Sequence, residues 1–348
     1  MKSLVNFILL IIGALKGDIW VRTGRAMLVL GATSASIPTL SAKYKNIVEF
    51  TLSNDTSIMV EITGVVLILS GVVLIFWRFW SLQAKPPYLV YVRGLSNMEV
   101  SDPIKALPKS DWHAKSLNYE IQSYNRDKLI EDYKHMKRTF EQRIEHQNAS
   151  KVYIASLASF PALFLVGTLF RNAHIETILL DYNRHKSKWY QLKELSDRED
   201  PVHHVLAEDE TVGYEEKLNQ ILENTPTEVG VSLAYTFEIP NEQIPEELRE
   251  HTLFLKSSLG CGHDKLSDKE SQKELLNELS LLFNHISKSK GVQKIHLFVS
   301  AQASMTIALG LNYMDNAHGI IVLHNYDNQA KTYNWSIAFN KGTVTVSS

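Results

Sequence analysis

The sequence predicts an α/β protein: two tandem units, each a mostly parallel sheet covered by helices, behind an N-terminal transmembrane α-helical hairpin. Three observations predict it. An uncharged apolar run occupies Ile62–Trp77; the chain beyond residue 85 alternates short apolar strands with amphipathic helices; and its later half matches its earlier half at a constant offset of 143, Lys151 falling on Lys294. The 348 residues hold 45% hydrophobic and 21% charged side chains, with 36 Lys+Arg against 38 Asp+Glu. A net charge of −2 argues against a protein that coats polymeric nucleic acid, which needs many cations to displace counterions. The single Cys261 excludes a disulfide framework and any multi-cysteine metal or iron–sulfur centre.

Residues 1–84 form the predicted membrane region. With its flanks from Ile58 to Trp80, the second apolar stretch reaches the roughly 20 residues that cross hydrocarbon, and Trp77, Trp80 and Arg78 suit an interface. A first span at about 26–42 is more polar, and Thr33, Ser34, Ser36, Thr39 and Ser41 suit a helix contact or a wet path. Ser3–Leu15 is shorter and lacks a small-x-small cleavage pattern, so an interfacial helix at about 3–15 is expected rather than a signal peptide. Lys2, Lys16, Arg22 and Arg25 precede the first span, and Arg78, Lys85 and Arg93 follow the second. Both ends are therefore expected in the cytoplasm, with the chain a multi-pass membrane protein.

The first α/β unit is expected over 85–206 and the second over 207–348. Tyr88–Val92 opens the first and Val229–Ile239 the second; each is followed by a polar loop and a long amphipathic helix. The first helix, about Arg126–Gln147, carries Leu129, Ile130, Tyr133, Met136, Phe140 and Ile144 at spacings of three and four. The second starts near Ser267, which with Glu270 forms a capping-box pattern, and carries Leu275, Leu279, Leu282, Phe283 and Ile286. KVYIASLASFPALFLVGTLF (Lys151–Phe170) then lies over KIHLFVSAQASMTIALGLNY (Lys294–Tyr313), with Gly167 on Gly310. One inserted residue brings Asn172-Ala173-His174 onto Asn316-Ala317-His318, Tyr182 onto Tyr326 and Trp189 onto Tyr333. Each copy reads strand, helix, strand, helix, strand, strand, a pattern that folds as a parallel sheet with helices on both faces.

Open sheets of this kind bind ligands at the carboxyl ends of their strands, beside helix N-termini that favour phosphate. The relevant turns are Leu157–Pro161 and Ser300–Ser304, so Ser159, Phe160, Pro161, Ser300, Gln302 and Ser304 are candidate ligand contacts. Serines that merely cap their helices would give the same pattern. Arg93-Gly94 and Tyr235-Thr236, at the ends of the opening strands, add a phosphate-binding guanidinium and backbone approach, and Tyr182, Trp189, Tyr326 and Trp335 are candidates for stacking or for the core. Lys256–Lys265, rich in glycine and cations, is either a lid or a surface loop. His203-His204 with Glu208, Asp209 and Glu210 reads as a solvated linker rather than a metal site. No GxGxxG, P-loop, HExxH or GxSxG is present, and no active site is visible.

The second copy carries a family likeness. KIHLFVSAQASMTIALGLNYM, followed by GIIVLHNYD and KTYNWSIAF, resembles the C-terminal signature of SAVED domains, which are fusions of two CARF-like Rossmann units; the likeness extends over about 87–340. A transmembrane hairpin ahead of a SAVED domain resembles the membrane-anchored effectors of cyclic-oligonucleotide-based antiphage signalling (CBASS). The resemblance implies a non-enzymatic receptor, without cofactor or metal, for a cyclic di-, tri- or tetranucleotide made by a partner nucleotidyltransferase. It further implies ligand-promoted homo-oligomerisation and disruption of the lipid bilayer. Two alternatives stay open: a membrane-anchored ring nuclease that degrades its own ligand, and a ligand-free membrane adaptor.

Overall fold

The computed structural model describes residues 19–35, 54–84, 86–94, 100–145, 149–171, 173, 175–194 and 202–347. The expected interfacial helix at 3–15, the part of the first expected span beyond residue 35, and Asn172 and His174 of the repeat lie outside them. The chain divides into two compact units, one comprising residues 1–87 and 107–115, the other the remainder.

In the first unit, α1 (Ile19–Ala35) packs along α2 (Asn54–Ala84). The contact runs through two glycines: a Cβ on Gly71 would meet the Gly24 carbonyl oxygen at 2.7 Å, and one on Gly24 would meet Ile75 Cγ1 at 2.8 Å. Away from that seam, Val29, Leu30, Ile62, Val65, Val66, Leu69, Val73, Trp77 and Trp80 are exposed. Among the described residues no helix is long and apolar enough to cross a membrane. The uncharged run Ile62–Trp77 stops short of the roughly 20 residues required, because Glu61 and Arg78 bound it.

In the second unit the chain runs β1 (Tyr88–Arg93), β2 (Lys115–Glu120), α3 (Arg126–Phe140), β3 (Lys151–Leu157), α4 (Phe160–Phe170), β4 (Glu176–Asn183) and β5 (Lys188–Gln191). It continues with β6 (His204–Leu206), α5 (Glu215–Glu223), β7 (Glu228–Ala234), β8 (Thr252–Ser257), α6 (Lys269–Lys288), β9 (Lys294–Ser300), α7 (Ala303–Leu311), β10 (Ile320–Asp327), β11 (Thr332–Asn340) and β12 (Thr343–Val346). One sheet has the order β2-β1-β3-β4-β5; the other, β12-β11-β10-β9-β7-β8-β6, contains the same order in β8-β7-β9-β10-β11. The three middle strands are parallel in both, and the strand after them turns back antiparallel. The repeat reaches individual residues. Tyr182 stands opposite Trp189, and Tyr326 opposite Tyr333, so the two aromatic pairs aligned in sequence are cross-strand partners in their own sheets.

The structure departs from the sequence reading at four places. Each loop after an opening strand contains another strand, β2 or β8; β2 buries only Leu117, so it lacks a readable apolar alternation. Helix α3 ends at Phe140 and passes into a π-helical turn, Glu141–Glu145. Helix α6 is capped by Asp268, which accepts from Ser271 N at 2.7 Å, not by Ser267; a carboxylate serves an N-cap as well as a hydroxyl. His204 is not in a solvated linker: it is buried in β6, which pairs with β8, and its Nδ1 and Nε2 lie 2.7 Å from Glu278 Oε2 and 2.6 Å from Tyr235 Oη. The second sheet thus takes its first strand from before residue 207.

The expected helix faces are buried: Leu129, Tyr133, Met136, Phe140 and Ile144 in one copy, Leu275, Leu279, Leu282, Phe283 and Ile286 in the other. Between the copies, α4 packs on α7 with Gly167 and Gly310 in contact. A Cβ on Gly310 would stand 2.0 Å from the Phe164 carbonyl oxygen, and one on Gly167 2.0 Å from that of Ile307. Such a contact requires helix separation to admit even one methyl group, and overpacking of this kind costs about 1–3 kcal/mol or more. Gly310→Ala and Gly167→Ala are each expected to lower the thermal midpoint, measured by calorimetry, whereas Gly213→Ala, where the Cβ would meet only the Glu215 side chain, leaves it nearly unchanged.

Several histidines are buried neutral. His318 Nδ1 lies 3.2 Å from the Met314 amide and Nε2 3.1 Å from Ser280 Oγ; burial lowers its pKa from 6.5 to about 4. His324 Nε2 is 2.9 Å from His296 Nδ1, and burial, then the neighbouring His296, lowers its pKa to about 3. His204 and His296 are lowered in the same way, chiefly by burial. Because the folded pKa values lie below the unfolded one, the unfolded chain takes up protons first as pH falls, so this stability is complete above about 6.5 and is lost below it. Buried Asp181, raised from 3.8 to about 6, acts in the opposite sense, but one carboxyl faces four imidazoles. The urea midpoint is expected to be lower at pH 5 than at pH 7.

Candidate functional site

The expected turns after β3 and β9 meet at one cleft of about 320 Å³, a volume within the range of small-molecule sites. The first copy supplies Leu157, Ala158 and Phe160 from its turn and Asp181, Tyr182, Arg184 and His185 from the end of β4. The second supplies Thr236 and Phe237 after β7, Ser300, Ala301 and Gln302 from its turn, and His263 and Asp264 from the Lys256–Lys265 loop. The cleft therefore sits at the carboxyl ends of parallel strands in both copies, where α4 and α7 begin.

Its floor is a polar network that joins the copies. Asp181, only 4% exposed, accepts from Tyr182 N at 2.9 Å, from Ser304 Oγ at 2.9 Å and from Gln302 Nε2 at 3.2 Å. Burial pushes its carboxyl up to about 6, against the opposing pull of those donors. Gln272 Nε2 donates to Ser304 Oγ at 2.9 Å, and Leu266 N donates to Gln302 Oε1 at 3.2 Å. Asp264 accepts from Asn183 Nδ2 at 2.9 Å and from Tyr190 Oη at 3.2 Å. Burial and the nearby Asp181 and Asp264 raise the Tyr190 phenol, which stays a donor.

Five of the thirteen sequence-predicted residues line the cleft: Phe160, Tyr182, Thr236, Ser300 and Gln302. Ser304 lies directly beneath, fully buried on Asp181. Ser159 occupies the N-cap position of α4 without a side-chain cap and donates to the Ser123 carbonyl; Pro161 is buried in the first helical turn. Ser300 Oγ accepts from Phe237 N at 3.0 Å, and Gln302 rather than Ser300 stands at the N-cap of α7. The others are not among the lining residues. Arg93 pairs with Glu120 over the Tyr91 ring, and Gly94 is packed against Ser123 and Ala158. Tyr235 is core, bonded to His204; Tyr326 stacks edge-on to Tyr333; Trp335 packs against the core.

The sequence reading missed Asp181, Arg184, His185 and Phe237 as cleft residues. Asp181 was hidden because an acidic residue inside an apolar strand reads as an edge position. Phe237, 60% exposed, had no periodicity to betray it. His263 and Asp264 belong to the Lys256–Lys265 loop, which its glycines and cations mark in the sequence. That loop is pinned rather than free: Gly262 N donates to the Tyr235 carbonyl at 2.9 Å, Cys261 Sγ to that of Ala234 at 3.0 Å, and Gly260 turns at φ +68°. Among the described residues no His, Cys, Asp and Glu group could hold a metal. Removing the Ser304 hydroxyl would leave a buried carboxyl short of a donor, which costs about 1–3 kcal/mol. Ser304→Ala is therefore expected to lower the urea-unfolding free energy by that amount at pH 7.5, and by less at pH 5, where Asp181 is protonated.

The comparisons with known proteins come to bear here. The family model for SAVED, the SMODS-associated and fused to various effectors sensor domain, matches residues 132–339. No curated protein matches the sequence. Solved structures similar in fold include the Acinetobacter baumannii Cap4 SAVED/CARF-domain containing receptor with the cyclic trinucleotide 2′3′3′-cAAA, at 12% identity and a TM-score of 0.48, covering 87% of this chain and 64% of that one. The same receptor with 3′3′3′-cAAA gives 12% identity, a TM-score of 0.46, and coverage of 84% and 64%. The Moraxella osloensis Cap4 receptor gives 12%, 0.42, and coverage of 94% and 76%. This chain thus spans somewhat less than two thirds of the Acinetobacter receptor's length.

Proposed function

The chain belongs to the SAVED family of sensor domains, and from that premise we propose that it is a receptor for a cyclic oligonucleotide, seated in the cleft between its two α/β copies. The observation that carries the reading is the convergence of two related strand-tip turns on one cleft lined by Arg184, His185 and His263 with Phe160, Tyr182 and Phe237. The Arg184 guanidinium and the helix N-termini suit phosphodiesters, and the exposed Phe237 ring suits a base. The ligand class, a ring of two to four nucleotides, is what the family implies, and a cleft bounded by two copies of one unit supports it. The receptor works without a resident cofactor, and it returns its ligand intact. A partner nucleotidyltransferase supplies the ring.

The same proposal places the glycine-seamed helices α1 and α2 in lipid. The support lies in the sequence: flanks from Ile58 to Trp80, which include Glu61 and Arg78, extend the uncharged run of the second helix, and Trp77, Trp80 and Arg78 suit an interface at one end of it. Its outward apolar residues have their natural solvent there, and close glycine contacts are a feature of helix association in lipid. Ligand shifts the protein toward an assembled state only through its higher affinity for that state. Clustering of the membrane helices then breaches the bilayer and ends an infection, with the α/β copies on the cytoplasmic side of a bacterial inner membrane.

The test uses the full chain in liposomes loaded with a quenched dye, titrated with cyclic di-, tri- and tetranucleotides, with thermal shift run in parallel. One of these rings, at 100 times its dissociation constant, is expected to stabilise the chain by about 2.7 kcal/mol, to release dye, and to be recovered unbroken by mass spectrometry. Absence of binding by every ring rejects the receptor; binding without dye release rejects the membrane output alone; recovery of a linear product makes the protein a ring nuclease.

A further inference from the structure

The polar groups lining the cleft are not equally available to a ligand. Asp181 Oδ1 takes the Tyr182 amide and its Oδ2 takes both Ser304 and Gln302. Gln302 in turn has its carbonyl oxygen on the Leu266 amide and its nitrogen on Asp181. These two are satisfied within the protein and have little left to give. Asp264 differs. Each of its oxygens takes one protein donor, Asn183 Nδ2 on Oδ2 and Tyr190 Oη on Oδ1, and a carboxylate offers about four acceptor sites. It is only half-buried, lines the cleft, and stands at φ +56° in a pinned loop. Two rigid neighbours therefore aim a carboxylate with spare acceptor capacity into the cleft.

A second group at the same place is an unpartnered hydroxyl. The Thr236 hydroxyl oxygen is buried and has no hydrogen-bond partner among the described residues, although Thr236 lines the cleft. Next to it Phe237 exposes its ring, edge-on to His263 at 4.9 Å, and His263 is the residue before Asp264. Phe237 and Asp264 thus line one cleft, the first with a ring to stack on and the second with a carboxylate.

A phosphodiester does not belong against that carboxylate, since like charges repel; the phosphates go to Arg184 and the helix N-termini. What meets Asp264 must donate. We infer that Asp264 reads the amino-bearing edge of a nucleobase, selecting rings that contain adenine, guanine or cytosine over rings of uracil. Uracil places its two carbonyl oxygens on either side of its one N–H, so it meets a carboxylate with acceptors. Asn183 and Tyr190 are the positioning residues. This assignment rests on the cyclic-oligonucleotide reading of the cleft.

The test is calorimetric titration of the full chain with cyclic di- and trinucleotides of adenine, of guanine and of uracil, matched in ring size and linkage. It is repeated on Asp264→Asn, in which the left-handed backbone position suits asparagine, with a melting curve to verify folding. The wild type is expected to bind an amino-bearing ring at least about tenfold more tightly than the matching uracil ring. Asp264→Asn is expected to erase most of that difference by weakening the amino-bearing ring. Equal affinity for the uracil ring in the wild type overturns the inference and leaves the receptor intact. So does an equal loss for all rings in Asp264→Asn, which would assign the carboxylate to a ribose hydroxyl, or an equal gain, which would mean that it only repels phosphate. Failure of every ring to bind removes the receptor reading itself, and this inference with it.

Discussion

The contact between Gly167 and Gly310 is the constraint on which the cleft depends. Each glycine lets its helix backbone touch the carbonyl face of the other helix, at a separation that no Cβ could occupy. Helices α4 and α7 begin shortly after β3 and β9, so packing them against each other through Gly167 and Gly310, in their C-terminal halves, holds the two strand-tip turns beside one cleft. A wider crossing would leave two shallow half-sites. Around this point Phe164, Tyr313, Phe339 and Tyr133 fill the remaining space edge-to-face, and the apolar core runs without interruption from one copy to the other.

Above that apolar crossing the junction turns polar. Asp181 from one copy is held by Ser304 and Gln302 from the other, and Asp264 from the second by Asn183 and Tyr190 from the first. Burying a carboxyl is costly, as its raised pKa records, and three donors limit the penalty. What the arrangement supplies is direction. Apolar contacts tolerate sliding, whereas a donor aimed at a buried oxygen does not. The cleft floor is thereby set in register between two sheets that, among the described residues, are joined in strand pairing only by the isolated bridge of Lys193 with Asp268.

The two-helix unit follows the same steric rule with a different surface. Gly24 and Gly71 bring α1 and α2 backbone to backbone, as Gly167 and Gly310 do for α4 and α7. Around the second crossing aromatic and aliphatic side chains close over the helices; around the first they point outward and remain exposed. Close helix contact needs only glycine; the side chains around it differ between the two pairs.

Much of this was legible in the sequence because it depends on period and repetition. The faces of α3 and α6, the duplicated turns, the glycine pair and the Tyr182–Trp189 and Tyr326–Tyr333 matches all recur at fixed spacing, and each recurs because the same backbone geometry was used twice. Strand β2 escaped because an edge strand buries one side chain and so leaves no pattern. His204 escaped because its partners Tyr235 and Glu278 are remote in sequence. In the cleft the sequence determined where two phosphate-favouring turns would lie, since strand ends and helix starts are local properties. Only the tertiary structure decided that they face one another, that Gln302 and Ser304 are committed to Asp181, and that Asp264 keeps acceptors to spare. Those facts are pairings between distant residues, and the hydrogen-bond capacity of a side chain is assigned only once its neighbours in space are known.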